Sequence, residues 1–572
     1  MQTGGAPAYR IDYLGKPVVL ESRLGLEPNL TGGFTLAAAS TSERQGQWIH
    51  PLGERRVVQD CHRELNVDLQ HASGALLRLT FRAYNEGAAL RYAFPQQDAR
   101  ELVFTGERTE FRLPDDTFGY ESHGTEGEYQ RVGTGAIRPF CERPLTLEYA
   151  CGVFASLSDA ANHTSPRMLL SPLPGVPGAL VSALGGNTSN TDRPNQRHDP
   201  IGSLKAGDST PWRMLILGEK PGDLLERNSL MLNLNPPNAL ADTSWIRPGK
   251  VLRDVTLSTA GGLACVDFAV RHGLQYIHLD AGWYGPEAST PTAASVDRSR
   301  DLDLQRVLDY GASNGIGVIL YVNRLALVNQ IDTLAALYRG WGVKGIKFGF
   351  VNVGSQQDTL WLLEAIRRCA AHQLMVNVHD GYRATGCERT YPNLMTVEGI
   401  RGNEHMPTPE HNCTLPFTRY VAGIGDYTIC YYSDRLKTTH AHQLAMAVVS
   451  FSPLQWLFWY DRPSQYNGEP EVEFFRRVPT VWDDTKVIHG EIGQYATIAR
   501  RSGEDWFMGT INNSQARPLQ IPLTFLTPGK AYTARIYFDD PTVQTRTQVG
   551  IKTQPVDART VLDVPLLAGG GQ

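Results

Sequence analysis

Between residues 250 and 460 the chain alternates short apolar runs with amphipathic segments, and this alternation restricts its fold more than any other feature. The apolar runs are KVLRDVTLS (250–258), LQYIHLDAG (274–282), GVILYVN (317–323), VKGIKFGFV (343–351), LMVNVHD (374–380), LMTVEGI (394–400), YTIC (427–430) and PLQWLFWY (453–460). Strands that are buried on both faces and alternate with helices form parallel sheets. Eight such units predict a (β/α)8 TIM barrel. A doubly wound sheet is disfavoured because no G-x-G-x-x-G motif follows the first strand.

The segments on either side of this region have a period of two. Stretches such as ALLRLTFRAYN before it and DWFMGTINN after it are typical of antiparallel strands separated by turns. We therefore predict an N-terminal β-sandwich (1–240), a central barrel (241–475) and a C-terminal β-sandwich (476–572). The polar, Pro- and Gly-containing stretch 186–203 is expected to form a surface excursion.

Composition excludes several classes of function. The net charge of −5 and the pI of about 6.3 provide no basic field for nucleic acid or an anionic membrane. No window approaches the ~18 apolar residues of a membrane span. The eight cysteines are widely spaced and contain no C-x-x-C pair, which favours core thiols over a disulfide scaffold or a zinc site. The first residues, MQTGGAPAYRID, do not resemble a signal peptide, which is expected of a cytoplasmic protein or of a mature or truncated form of an exported one.

Polar residues at the ends of the predicted strands are the first candidates for a functional site, because barrel enzymes place their chemistry there. Asp380 ends the fifth strand, while Glu398 and Glu404 follow the sixth. Such a group suits glycoside hydrolysis, in which one carboxyl group protonates the leaving oxygen and another activates water or attacks carbon. Clustered carboxylates repel one another, so one stays protonated or a divalent cation neutralises them, and oxygen ligands favour Ca²⁺ or Mg²⁺. The alternative is surface charges with salt-bridge partners.

Other polar and aromatic residues near the strand ends have two interpretations each. Asp280 binds a sugar hydroxyl or hydrogen-bonds a neighbouring strand end. A histidine at a strand end, such as His379, is more often a hydrogen-bond donor to a sugar or a buried residue with its hydrogen bonds made than a second base. Arg401 is expected to pair with a carboxylate. Trp283 and the run WLFWYD (456–461) form a stacking platform for a pyranose or pack in the core.

One long segment carries a resemblance to a known family. The sequence HDGYRATGCERTYPNLMTVEGIRGNE (379–404) resembles the core of glycoside hydrolase family 97, which contains α-glucosidases and α-galactosidases. SWIRPGK (244–250), HLDAGWYGPE (278–287), LYVNRLAL (320–327) and LPFTRYVAGIGDYT (415–428) match as well, and the resemblance covers nearly the whole chain. It implies the same order of sandwich, barrel and sandwich, bound Ca²⁺, and a periplasmic or cell-surface location.

The resemblance implies a role for four acidic residues. Glu404 falls on the general acid and Glu398 on a calcium ligand. Asp380 falls where inverting members carry a glutamate that acts as base and touches the calcium. Glu126, in GTEGEY, matches the calcium ligand from the N-terminal domain, and we also count Glu404 among the residues around the ion.

Two positions depart from the family pattern. Retaining members carry an aspartate nucleophile at the end of the fourth strand, where this chain has Gly349. Inverting members carry a second basic glutamate, expected near the end of the third strand, where this chain has Asn323. These departures favour inversion with Asp380 as the base.

The resulting expectation is an exo-acting, calcium-dependent, inverting hydrolase of α-glucosides or α-galactosides, with a small oligosaccharide or glycoside as its partner. Its substrate-binding candidates are Asp280, Trp283, Asn323, His379 and Arg401. One alternative is a related hydrolase of another sugar, such as a pentopyranoside, that uses a different base or nucleophile. The other is a carbohydrate-binding protein with impaired catalysis. The sequence predicts no oligomeric state.

Overall fold

The computed structural model describes residues 1–2, 4–95, 101–185 and 202–572. The predicted excursion at 186–203 lies, except for its last two residues, outside this described part. The order of N-terminal β-sandwich, central barrel and C-terminal β-rich domain is confirmed.

The N-terminal domain consists of two large antiparallel sheets that enclose an apolar core, in which Val18, Phe111 and Leu157 are fully buried. The five-stranded sheet contains, in spatial order, Ala8–Tyr13, Lys16–Arg23, Glu110–Arg112, Ala179–Leu184 and Met168–Pro172. The nine-stranded sheet contains Gln130–Gly133, Phe118–Glu121, Leu145–Glu148, Phe154–Ala160, Trp212–Gly218, Gly87–Ala93, Leu76–Ala83, His62–His71 and Phe34–Arg44. Short pairs join Glu101–Phe104 to Gly202–Lys205, Gly106–Glu107 to Leu26–Glu27, and Gln47–Ile49 to Val57–Gln59. Helices Pro221–Glu226 and Ser229–Asn233 lead toward the barrel.

The barrel has seven regular parallel strands. In chain order, β1 to β7 are Gly249–Asp254, Tyr276–Leu279, Gly317–Asn323, Gly345–Gly349, Met375–Val378, Leu394–Val397 and Leu454–Leu457. The predicted strand at 427–430 is irregular and lies between β6 and β7. There the Asp426 N–H donates to the Val397 carbonyl at 2.9 Å, and Ile429 forms a parallel bridge to Leu457. Thr428 has a φ of +56°, which interrupts extended backbone between these two contacts.

Helices cover the outside of the barrel. In chain order, α1 to α7 are Thr259–His272, Leu304–Ser313, Arg324–Trp341, Gln356–Ala371, Pro409–Thr414, His440–Val449 and Glu473–Arg477. Ser258 caps α1 through its hydroxyl, and Ser355 forms a capping box with Asp358 at the start of α4. Helices α1 to α4 each follow the strand of the same number, as the alternating pattern predicts. This arrangement leaves the carboxyl ends of the strands together at one mouth.

The C-terminal domain is built from antiparallel strands. Its strands are Asp484–Glu491, Tyr495–Ser502, Asp505–Asn512, Arg517–Pro522, Tyr532–Asp539, Val549–Val556 and Val561–Leu566. The fully buried Arg500 joins all three domains, because it donates to the Val448 carbonyl of α6 at 2.7 Å and to Glu54 of the N-terminal domain at 2.8 Å.

Two further expectations from the sequence concern the cysteines and membrane-spanning helices. Six of the eight cysteines are buried free thiols, while Cys61 is half-buried and Cys151 is exposed, so the expectation of core thiols is wrong for Cys151. Among the described residues, no helix is both long enough and apolar enough to cross a membrane.

Candidate active site

The ends of β5 and β6 bring two carboxylates side by side. The Asp380 N–H donates to Glu398 Oε2 at 2.6 Å, and the Glu398 N–H donates to the Val378 carbonyl at 2.9 Å. Asp380 has a φ of +59°, a left-handed conformation that aspartate tolerates better than most residues. This turn aims the Asp380 carboxylate at the end of β4, where Oδ2 accepts the Phe350 N–H at 2.5 Å.

Glu126 reaches the same place from the N-terminal domain. Single carboxylate oxygens of Glu126, Asp380 and Glu398 all lie within 4.8 Å of one another. The loop that carries Glu126 is fixed to the barrel by the buried Arg383, which donates to the Thr125 carbonyl at 2.8 Å. The three ligands implied by the resemblance therefore occupy one site that spans two domains.

Glu404 belongs to a neighbouring group. Its carboxylate, with Glu398 and His379, forms a second set of ligand atoms within 4.8 Å, and its side chain is 25% exposed. His379 lies between the carboxylates: Nδ1 is 2.9 Å from Glu398 Oε2 and 3.6 Å from Asp380 Oδ1, while Nε2 is 3.6 Å from Glu404 Oε1. Glu404 is thus on the opposite side of the imidazole ring from Asp380.

Burial and like charge dominate the electrostatics of this cluster. Burial raises the pKa of Glu398 well above its usual range; His379 opposes this shift, while the nearby Glu126 and Glu404 charges add to it. Although burial lowers it, the pKa of His379 lies well above its ordinary value because Glu398 and Glu404 stabilise the imidazolium. Buried carboxylate oxygens that repel one another are the donor set of a hard divalent cation. The residues present therefore fit Ca²⁺.

Beside β5, Gly349 ends β4 without a side chain, and Tyr321 of β3 fills the space above it. A Cβ placed on Gly349 would lie 1.9 Å from the Tyr321 hydroxyl oxygen and 2.1 Å from Cζ. Tyr321 is only 3% exposed, so its ring has little room to move aside. Position 349 therefore supplies no carboxylate of its own, and the Tyr321 ring leaves no space for one there.

Gly349→Ala tests this packing. Because the added methyl group overlaps the Tyr321 ring, we expect the free energy of unfolding of the barrel to fall by about 1–3 kcal/mol, measured by chemical denaturation. The control is Gly340→Ala in α3, where a Cβ meets nothing within 4 Å; that change should be neutral or stabilising by up to about 1 kcal/mol. Equal stability of the two variants would contradict the close contact at Gly349.

The predicted residue Asp280 lies among cations near the barrel mouth. Its Oδ2 is 2.8 Å from Arg253 Nε, and its Oδ1 is 4.0 Å from Lys347 Nζ and 3.7 Å from His278 Nε2. Although burial raises it, the pKa of Asp280 lies below its usual range because Lys347, His278 and Arg253 stabilise the carboxylate. Lys347 also lies over the Trp459 ring, 3.8 Å from its centroid.

His379 is described above, and the remaining three substrate-binding candidates have different environments. Trp283 is fully buried and its indole N–H donates to the Tyr321 carbonyl at 2.7 Å, so it presents no face for sugar stacking and we remove it from the site. Asn323 uses Oδ1 to cap α3 at the Leu325 N–H and turns Nδ2 toward the mouth. Arg401 pairs with Glu128, at 3.3 Å, rather than with either neighbouring glutamate of its own loop.

Several residues of this region were not among the sequence candidates. The sequence does mark Lys347 as a candidate, because it is a charged residue in an otherwise apolar strand. Asp426, buried on the irregular segment, accepts a hydrogen bond from Asn377 at 2.9 Å, and burial raises its pKa. Glu287 of the loop after β2 and the Tyr321 hydroxyl have no local pattern that marks them. His405, whose Nε2 lies 2.6 Å from Glu126 Oε2, had only its position beside Glu404.

Family profiles match three consecutive parts of the chain. The profile described as Glycosyl-hydrolase 97 N-terminal matches residues 1–237, Glycoside hydrolase 97 matches 251–400, and Glycosyl-hydrolase 97 C-terminal, oligomerisation, matches 481–572. Together they cover most of the sequence.

Two relatives and three solved structures are similar to this chain over most of its length. The retaining alpha-galactosidase of Bacteroides thetaiotaomicron is 28% identical over 88% of this chain and 84% of its own length. The probable retaining alpha-galactosidase of Streptomyces bingchenggensis is 28% identical over 100% of this chain and 88% of its own length. A Glycoside Hydrolase Family 97 enzyme from Pseudoalteromonas sp. strain K8 is 26% identical and covers 100% of this chain and 96% of its own. Its complexes with panose and with acarbose superpose with TM-scores of 0.90 and 0.89. A beta-arabinopyranosidase shares the fold, with a TM-score of 0.87. It is 20% identical, and the match covers 100% of this chain and 96% of its own.

Proposed function

This chain belongs to glycoside hydrolase family 97 and is a glycoside hydrolase, and from that premise we propose that it is exo-acting, calcium-dependent and inverting on α-glucosides or α-galactosides. The observation that carries the inverting mechanism is the end of β4, where Gly349 lies under Tyr321. Retaining members of the family are expected to carry their nucleophile at that place, and the two relatives above are named as a retaining and a probable retaining alpha-galactosidase. The packing at Gly349 supports a different, inverting mechanism for this chain.

Glu404 is the general acid in this proposal. It is the most exposed carboxylate of the two groups that share Glu398, which suits a residue that protonates a glycosidic oxygen entering from solvent. Asp380 is the base and accepts a proton from the attacking water. Asp380 and Glu404 lie beside different nitrogens of the His379 ring, and inversion requires that the space next to this ring accommodate the anomeric carbon and a water molecule between the two carboxyl groups.

Glu126, Asp380 and Glu398 would hold the Ca²⁺ ion. When bound, the ion supplies positive charge that offsets the repulsion among these carboxylates. His379 adds a second positive charge beside Glu398, and the Phe350 N–H fixes the orientation of Asp380. Glu404 stays among the residues around the ion, because its carboxylate forms a second group of possible ligands with Glu398 and His379.

Proton NMR of the first-formed sugar anomer tests the mechanism. With a panel of nitrophenyl α- and β-glycosides, including pentopyranosides, we expect hydrolysis of an α-glucoside or α-galactoside and initial release of the β-anomer. Initial release of the α-anomer would overturn inversion. If no glycoside of the panel or natural oligosaccharide is hydrolysed, the chain is a binding protein and the proposal fails.

The calcium requirement is checked on the same protein. Chelation should abolish hydrolysis and lower the melting temperature, because three mutually repelling carboxylates then lose their counter-ion. Added Ca²⁺ should restore both properties. Unchanged melting and activity in a chelator that removes all calcium from the protein would contradict a role for the ion.

A further inference from the structure

Glu287 enters the mouth of the barrel from the loop after β2, and this loop is fixed tightly to the end of β3. The Trp283 indole donates to the Tyr321 carbonyl at 2.7 Å, and the Tyr284 hydroxyl accepts the Asn323 N–H at 2.9 Å. Gly285, with a φ of +117°, makes the turn between these contacts and Glu287. The position of the Glu287 carboxylate is therefore set by well-packed neighbours.

The two side chains that Glu287 faces are both neutral. Asn323 Nδ2 lies 3.5 Å from Glu287 Oε2 and 3.5 Å from the Tyr321 hydroxyl oxygen, so the carboxylate and the hydroxyl meet around one amide. Asn323 cannot turn this amide away without losing its cap on α3, where Oδ1 accepts the Leu325 N–H at 3.0 Å. A carboxylate has about four lone-pair sites, so Glu287 has acceptor capacity left for a ligand beyond these two neighbours.

Tyr321 places this group next to Asp380. The Tyr321 hydroxyl lies against Gly349, while the N–H of the next residue, Phe350, holds Asp380 Oδ2 at 2.5 Å. Burial raises the pKa of Tyr321 far above its ordinary value, and the Glu287 and Asp380 charges raise it further, so the hydroxyl keeps its proton. The Tyr321 hydroxyl and the Asp380 carboxylate thus flank the same space at the end of β4.

We propose that Glu287, together with the Tyr321 hydroxyl, binds and orients the attacking water beside Asp380. The inference rests on the inverting function proposed above. The water donates one hydrogen to Asp380 and the other to Glu287, which points its lone pair at the anomeric carbon. As the water oxygen bonds to this carbon, the bond to the glycosidic oxygen breaks. Asp380 takes one water proton, and Glu404 gives its own proton to the leaving oxygen.

The chemistry assigns the two acidic residues different tasks. Asp380 is shared with the Phe350 N–H and the proposed ion, which fixes it but leaves few lone pairs to direct a water molecule. Glu287 supplies a second acceptor from another strand end. Two acceptors define the direction of a water lone pair, whereas one acceptor leaves the molecule free to rotate about a single hydrogen bond.

Steady-state kinetics of Glu287→Ala test the proposal on the nitrophenyl α-glycoside that the wild type hydrolyses fastest. We expect kcat to fall about 100-fold with little change in KM, because the variant misplaces water rather than sugar. Azide, which attacks without a bound hydrogen to orient, should restore turnover and yield a glycosyl azide of inverted configuration. Tyr321→Phe, which keeps the ring over Gly349, should also lower kcat. Ser289→Ala, in the same loop, is the control and should behave as the wild type.

Each result that contradicts the expected kinetics has its own interpretation. Inversion by the wild type with an unchanged kcat in Glu287→Ala would overturn the water-positioning role alone. A raised KM without azide rescue would also overturn it, since that result belongs to a sugar-binding residue. Retention by the wild type would overturn the proposed mechanism and this inference together. A Glu287→Ala protein with a lowered melting temperature and no azide rescue would show a structural role and reject the proposal.

Discussion

Glu404→Gln should lower kcat on natural oligosaccharides by about 10²–10⁴-fold, the usual contribution of a general acid. Glutamine has the size of glutamate but no proton to give to an alkoxide leaving group. The loss should be much smaller on nitrophenyl glycosides, because a nitrophenolate leaves without protonation. Comparison of the two substrate classes therefore separates acid catalysis from a general disturbance of the site.

The control for this experiment is Glu364→Gln on the outer face of α4, where the carboxylate pairs with Arg367 and Arg368. That variant should keep wild-type kcat on both substrate classes. Full activity of Glu404→Gln on natural glycosides would contradict the acid assignment. An equal loss on both classes would assign Glu404 to binding instead of proton transfer.

Asp380→Asn should lower kcat by about 10³-fold or more, because it removes the base and one charge from the proposed ion site. Asparagine tolerates the left-handed φ of +59° and keeps an oxygen for the Phe350 N–H, so the backbone turn should persist. We expect a melting temperature in Ca²⁺ close to that of the wild type and a weaker dependence on Ca²⁺ concentration. Activity within tenfold of the wild type would show that another residue is the base.

The barrel could be predicted from sequence because its strands are buried on both faces and its helices are amphipathic. Those two patterns are local, and so are the strand ends that pointed to Asp280, Asp380 and Glu398. The irregular segment at 427–430 could not be predicted in this way, since three apolar residues and a β-branched threonine are typical of a strand whether or not Thr428 adopts a positive φ. The assignments of Glu126 and Glu404 came from the family resemblance, not from periodicity.

The side of the site formed by Tyr321, Gly349 and Glu287 could not be predicted from the sequence. That Tyr321 lies over Gly349 depends on the register of β3 against β4 and on a side-chain rotamer, neither of which leaves a local signal. Glu287 reaches Tyr321 from a different loop, 34 residues earlier in the chain. Trp283 was misplaced for a related reason: an aromatic residue after a strand is compatible with stacking or with burial until its neighbours are known.

Arg383 and Glu126 have a consequence for how this enzyme can be inherited and engineered. Part of the proposed ion site is carried by a loop of the sandwich, and a buried guanidinium of the barrel fixes that loop in place. A barrel transferred by recombination without its own sandwich would bring Asp380 and Glu398 but lack Glu126, and it would leave Arg383 without its hydrogen-bond partners in the sandwich. The first two domains are therefore a single unit of exchange.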